Sequence, residues 1–195
     1  MVDALRRWNL GWRCAPALAL GVAATALLWP AAAPAEERTC RGSLGATTVD
    51  NLRVPQGSRC ELTGTVVQGT VKVERAATLV ARQIRVVGNV QAENARRVVV
   101  RRSRVGGSIQ VVQGGSAIVR GTRVKQDILY DENRKRLKAI DNRVVGSIQV
   151  FQNDGGVRIL NNRVNGNLQC KENSPGPTGG GNIVQGNKED QCARL

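Results

Sequence analysis

Thr70-Val71-Lys72-Val73, Asn89-Val90-Gln91-Ala92 and Ser108-Ile109-Gln110-Val111 are one short phrase written three times, 19 residues apart. Read outward in both directions, the phrase begins at Asn51-Leu52-Arg53-Val54. It continues through Asp127-Ile128-Leu129-Tyr130 and Ser147-Ile148-Gln149-Val150 to Asn167-Leu168-Gln169-Cys170. The first apolar column is therefore Leu52, Val71, Val90, Ile109, Ile128, Ile148 and Leu168, stepping by 19 and later by 20. A second column lies two residues on, at Val54, Val73, Ala92, Val111, Tyr130, Val150 and Cys170. An offset of two puts both side chains on one face of a strand.

Each unit carries a second apolar pair, from Cys60/Leu62 and Leu79/Ala81 to Leu137/Ala139 and Val157/Ile159. A third column, Val67, Val86, Val105, Val124, Val144 and Val164, closes the unit. No unit holds a helical period, so three short strands make the repeat. A unit this small buries its apolar face only by stacking on its neighbours. The sequence thus predicts an all-β, single-domain parallel β-solenoid of about seven coils of 19–20 residues. An antiparallel sandwich of short strands is the alternative, and it gives no reason for an unbroken period. The period is not a strict multiple of six, which points to a right-handed β-helix.

Residues 1–35 read as an export signal. Arg6, Arg7 and Arg13 precede an uncharged run from Ala15 to Trp29, and Ala33-Pro34-Ala35 supplies a cleavage site. A retained membrane anchor is the competing reading. Residues 36–49 are expected to form an N-terminal cap and 50–195 the repeat domain. The mature chain would be secreted or periplasmic, with no stable membrane span. It would keep 26 of the 29 Lys and Arg and 14 of the 15 Asp and Glu, a net charge near +12.

Cys40 and Cys60 are one period apart, and Cys170 and Cys192 are 22 residues apart. Stacked residues on neighbouring coils lie near the separation a disulfide needs. The expected bonds are Cys40–Cys60 and Cys170–Cys192, each clamping a terminal coil in an oxidising compartment. A zinc site is the alternative, but the chain has no histidine and no Cys-x-x-Cys pair.

The last coil is interrupted by Ser174-Pro175-Gly176-Pro177-Thr178-Gly179-Gly180-Gly181. Asn182-Ile183-Val184 is expected to resume the second strand, and Asn187-Lys188 to stand over Asn162-Arg163. Gly166-Asn167-Leu168-Gln169-Cys170-Lys171-Glu172-Asn173, then Gly179-Gly180-Gly181-Asn182, then Asn187-Lys188-Glu189-Asp190-Gln191-Cys192 form a distinctive ending. With the opening Val49-Asp50-Asn51-Leu52-Arg53-Val54-Pro55, it resembles a group of uncharacterised small exported bacterial parallel β-helix proteins. The likeness covers most of the mature chain and implies location and fold, not activity. The Gly-x-Ile-x-Val rhythm also resembles bactofilins, in fold type only, since bactofilins lack an export signal and terminal disulfides.

Two surface columns stand out. Arg53, Lys72, Gln91, Gln110, Leu129, Gln149 and Gln169 point outward from the first strand, where stacked glutamines bond along the rod. Asn94, Asn133, Asn153 and Asn173 follow at a corner, where Asn suits the turn's backbone. Arg85, Arg104, Arg123, Arg143 and Arg163 recur one per coil on the third strand, with Lys188 expected next, and Arg82, Arg101, Arg102 and Arg120 widen the edge. Charges about 5 Å apart in water repel by somewhat under 1 kcal/mol. Such a ridge would bind an anionic polymer: lipopolysaccharide, teichoic acid, an acidic glycan or extracellular DNA. A solvated edge that resists sideways aggregation is the plainer reading.

Without histidine, the Ser-His and Cys-His nucleophile pairs are excluded. No phosphate-binding glycine loop is present. Asp127, Asp131 and Glu132, beside Arg134, Lys135 and Arg136, are the only carboxylates that invite comparison with acidic-polysaccharide lyases, and a charged turn explains them. The expectation is a non-enzyme with no cofactor and no metal. Its alternatives are a scaffold that self-associates and, remotely, a lyase-like enzyme.

Overall fold

The computed structural model describes residues 36–195, so the export signal expected over residues 1–35 lies outside the described residues. Three parallel sheets enclose one core. The first has nine strands, from Glu37–Thr39 through Ile128–Asp131 to Lys188–Asp190. The second has eight, from Gly42–Leu44 to Thr178–Gly180, and the third has eight two-residue strands, from Thr48–Val49 to Ile183–Val184. Every strand pairs with its counterpart one coil away, as Val90 with Ile109 and Val98 with Ala117. The chain is a β-solenoid of about eight coils, and the nine first-sheet strands span about 38 Å at ~4.8 Å per step. Among the described residues no helix is long and apolar enough to cross a membrane.

The eighth coil comes from residues 36–49, the expected cap, which adds a strand to each sheet. Apolar periodicity could not reveal it, because Arg38 stands in register with Leu52. Among the described residues a terminal coil has one neighbour only, so its inward positions are not fully enclosed and tolerate polar residues.

The three inward columns behave as the period predicted. Leu52, Ile109, Ile128, Ile148 and Leu168 are buried, as are Val67, Val124 and Val144. Each fully buried aliphatic side chain contributes about 1.5–3 kcal/mol. Tyr130 fills the middle of its column, in register with Val111 and Val150. Its hydroxyl donates to the Lys138 carbonyl at 2.9 Å, and burial pushes the phenol above its ordinary range.

The corners hold what periodicity alone did not disclose. At the second-to-third corner Gln83, Arg102, Asp141 and Asn161 adopt φ of 48–55°, and Gly64, Gly121 and Gly181 take the same place in other coils. The next residue turns inward, and Asn142, Asn162 and Asn182 stack as a buried amide ladder. Asn162 Oδ1 accepts from Asn142 N and Nδ2, both at 3.0 Å, while its Nδ2 donates to Asn182 Oδ1 at 2.9 Å and the Ala139 carbonyl at 2.8 Å. A second ladder, Asn133, Asn153 and Asn173, lines the first-to-second corner. There Glu132, Gln152 and Glu172 carry the left-handed backbone, not the asparagines that follow. Of the four asparagines expected to take that conformation, only Asn94 does, with φ of 53°. The third-to-first corner is tied by a ladder of mixed polar groups, in which Asp127 Oδ1 accepts from Ser147 N at 2.7 Å. Gly107 and Gly146 precede this ladder because a Cβ there would strike the oxygen of Asn89 or Asp127 one coil away.

The register corrects two expectations at the C-terminus. Ser174–Gly181 adds no length, since Arg158 pairs with Thr178 and Leu160 with Gly180, 20 residues on. Asn182-Ile183-Val184 therefore resumes the third strand, and Ile183, not Lys188, stands over Arg163. The cause is the ladder: Asn182 must meet Asn162, and Val184 must supply the inward side chain. Lys188 instead lies in the first sheet over Leu168. So a cation ends the inward column at each end of that sheet, Arg38 over Leu52 and Lys188 over Leu168. Inward charges on exposed edges oppose further stacking.

Both expected disulfides are formed, Cys40–Cys60 with Cα atoms 5.6 Å apart and Cys170–Cys192 with 5.2 Å. All four cysteines are buried. Neither pair is stacked in register as expected: Cys60 faces Gly42, and Cys170 faces Asp190. Each bond reaches a position two residues off, so it ties a residue within one strand to the segment just beyond another. Such bonds fit an oxidising compartment.

Asn162→Ala removes four buried hydrogen bonds, among them that of the Asn142 N–H, and its expected cost is about 3–5 kcal/mol in urea unfolding. The adjacent, exposed Asn161→Ala changes only a left-handed corner residue and should cost about 1 kcal/mol. Equal midpoints for the two variants would remove the ladder's importance. Replacing both Arg38 and Lys188 by Leu should produce concentration-dependent association in light scattering. Scattering unchanged from the parent would show that these cations do not guard the ends.

Candidate functional site

The third sheet is built from two-residue strands, one residue out and one in. Its inward residue is a buried valine in coil after coil, so the outward residue is free to vary. In five successive coils it is arginine: Arg85, Arg104, Arg123, Arg143 and Arg163 pair in direct register. All five are exposed. The column has definite ends. Val66 lies before Arg85, and Ile183 lies beyond Arg163.

No carboxylate among the described residues lies within salt-bridge distance of these five. On the first face Arg53 meets Glu37 at 2.9 Å and Glu74 at 3.4 Å, whereas Lys72, next in register, meets no carboxylate among the described residues. The flanking arginines stand in a second row, Arg82, Arg101 and Arg120, in register along the end of the second sheet. Two of them are compensated, Arg82 by Glu61 at 3.9 Å and Arg120 by Asp141 at 3.3 Å. Arg102 sits at the left-handed corner between the rows. Arg59, donating from Nε to Glu61 at 2.9 Å, holds the exposed Glu61 carboxyl below its usual range.

Shallow grooves border the column on both sides. One, of about 430 Å³, is lined by Arg85, Val87, Arg104, Gly106, Arg123 and Lys125. The other, of about 280 Å³, runs past Arg102, Gly121, Arg123, Asp141 and Arg143. Gly106 lines the first and Gly121 the second. Val87, Val145 and Ile183, the exposed large apolar residues among those described, all lie on this face. Sequence reading missed them because they fall outside the inward columns. The 20-residue recurrence of Asn-x-Val at Asn142, Asn162 and Asn182 could have placed Ile183 correctly.

The carboxylates that suggested catalysis do not converge. Asp127 is absorbed in the corner ladder, and Asp131 lies four residues along an extended strand, roughly 13 Å away. Glu132 accepts from Gln113 Nε2 at 2.9 Å. The turn Arg134-Lys135-Arg136 is where the extra residue of the longer period enters, as Ala117 pairs with Leu137. Among the described residues no cluster of acidic residues and cysteines could hold a metal. The glutamine column is real in part: Gln149 donates to Gln169 at 3.1 Å, and Gln169 to Glu189 at 2.7 Å, while Leu129 interrupts it.

Asp131 supplies a pH test of this geometry. Burial between Val112 and Phe151, then the neighbouring Glu132 charge, raises its carboxyl above 3.8. The native state thus prefers the uncharged form. Its contribution is fully present below the unfolded value and lost as pH rises through the folded one. Asp131→Asn should therefore raise the melting temperature at neutral pH and leave it unchanged near about pH 2. A variant less stable than the parent at neutral pH would contradict that sign. No protein-family model matches the chain, and neither does any curated protein or solved structure.

Proposed function

We propose that the chain is a secreted, non-enzymatic β-solenoid of the cell envelope or extracellular space that binds an anionic polymer through its arginine column. The observation that carries this reading is five exposed arginines stacked in direct register, none within salt-bridge distance of a carboxylate among the described residues. Like charges held at coil spacing repel, and a bound polyanion relieves that repulsion while gaining charge-assisted hydrogen bonds. The stiff solenoid fixes the spacing in advance, so ordering the site on binding costs little. Lipopolysaccharide, teichoic acid, acidic glycan and extracellular DNA share the required charge. The two disulfides suit secretion, because they would persist outside the cell.

Replacing Arg104, Arg123 and Arg143 by Ala should lower the salt concentration that elutes the protein from immobilised heparin or lipopolysaccharide. Replacing Arg134, Lys135 and Arg136 by Ala removes the same net charge and should shift elution much less. Equal shifts for the two triple variants would reject the ridge in favour of non-specific charge.

A further inference from the structure

The arginine column is a line of fixed length, and this restricts the shape of what it binds. Its five positions are separated by four coil steps, about 19 Å in all. Val66 ends it on one side and Ile183 on the other, both uncharged and in register with the column. Shallow grooves run alongside, each spanning three coils of the column. A strand-shaped ligand can lie there parallel to the solenoid axis. Arginine presents a planar fork that meets a carboxylate through two parallel hydrogen bonds. Phosphates along a DNA strand recur every ~3.4 Å and drift from the coils by about 1.4 Å per step.

We infer that the column is a linear site for an extended, unbranched acidic glycan with one carboxylate per sugar, one sugar for each of the five arginines. This inference rests on the polyanion-binding reading above and adds direction, length and ligand class to it. The solenoid axis sets the direction, and the number of uninterrupted arginines sets the length. Ile183 is the residue that stops the site, because an arginine at that position would stack directly on Arg163.

The test is calorimetric titration with oligogalacturonates of defined length, from dimer to decamer. For the parent protein, affinity should rise roughly 1.5-fold to fivefold with each added uronate and level off at about five units, the number of stacked arginines. Ile183→Arg extends the column and should move the plateau one unit further. It should also steepen the dependence of log affinity on log salt by about one contact's worth. Arg123→Gln should interrupt the line and weaken long oligomers more than dimers. Affinity that climbs to the decamer in parent and Ile183→Arg alike, while Arg123→Gln still weakens binding, overturns the linear site and leaves the ridge standing. Binding indifferent to Arg123→Gln overturns both. Absence of oligouronate binding, with heparin retention intact, overturns the ligand class alone.

Discussion

Vertical register is the constraint on which the rest depends. Backbone hydrogen bonds join each coil to the next through all three sheets, so a residue's nearest neighbour is its own counterpart one period away. Any side chain that enters the interior must be compatible with copies of itself above and below. Aliphatic groups meet that condition without cost. A polar group meets it only if it is donor and acceptor at once, which is why the buried corners carry asparagine. Its amide accepts from one coil and donates to the next, and the ladders Asn142-Asn162-Asn182 and Asn133-Asn153-Asn173 follow. A carboxylate stacked on a carboxylate could not do this. Asp127 enters the third corner because its carboxylate accepts from the Ser147 backbone N–H and the groups stacked on either side of it are not carboxylates.

The same register governs the surface with the opposite consequence. Outward columns need no complementarity to be built, since water separates the groups. A column of like charge can therefore persist along the third sheet wherever its valine partners fill the core. Repulsion between guanidinium groups is small in water and falls further with salt. The fold can carry the ridge at little expense to its stability, and an approaching polyanion meets charges already in line.

The ends of the stack are where repetition has to stop. Among the described residues each terminal coil pairs with a coil on one side only, and each also has a disulfide drawing it inward. Arg38 and Lys188 occupy first-sheet positions where every interior coil has an aliphatic residue. These residues break the pattern for the reason that interior residues keep it: a further coil would have to bury them.

The sequence by itself determined the solenoid, its three inward columns, the pairing of the four cysteines and the alignment of Arg85 through Arg163. All of these are periodic, and period is the one tertiary quantity a linear text displays directly. Tertiary structure alone decided the first coil at 36–49, whose residues lack the apolar columns because, among the described residues, only one coil stacks on it. It decided the place of Lys188, since the proline-glycine loop looks like an insertion until its strand is paired residue for residue with Val157–Leu160. It decided that glutamate and glutamine take the left-handed corners while the asparagines beside them turn inward, because each amide has to reach a partner one coil away. And it paired Val66 with Arg85 and Ile183 with Arg163, limits of the arginine line that the period also carries, because register along a sheet joins residues one period apart.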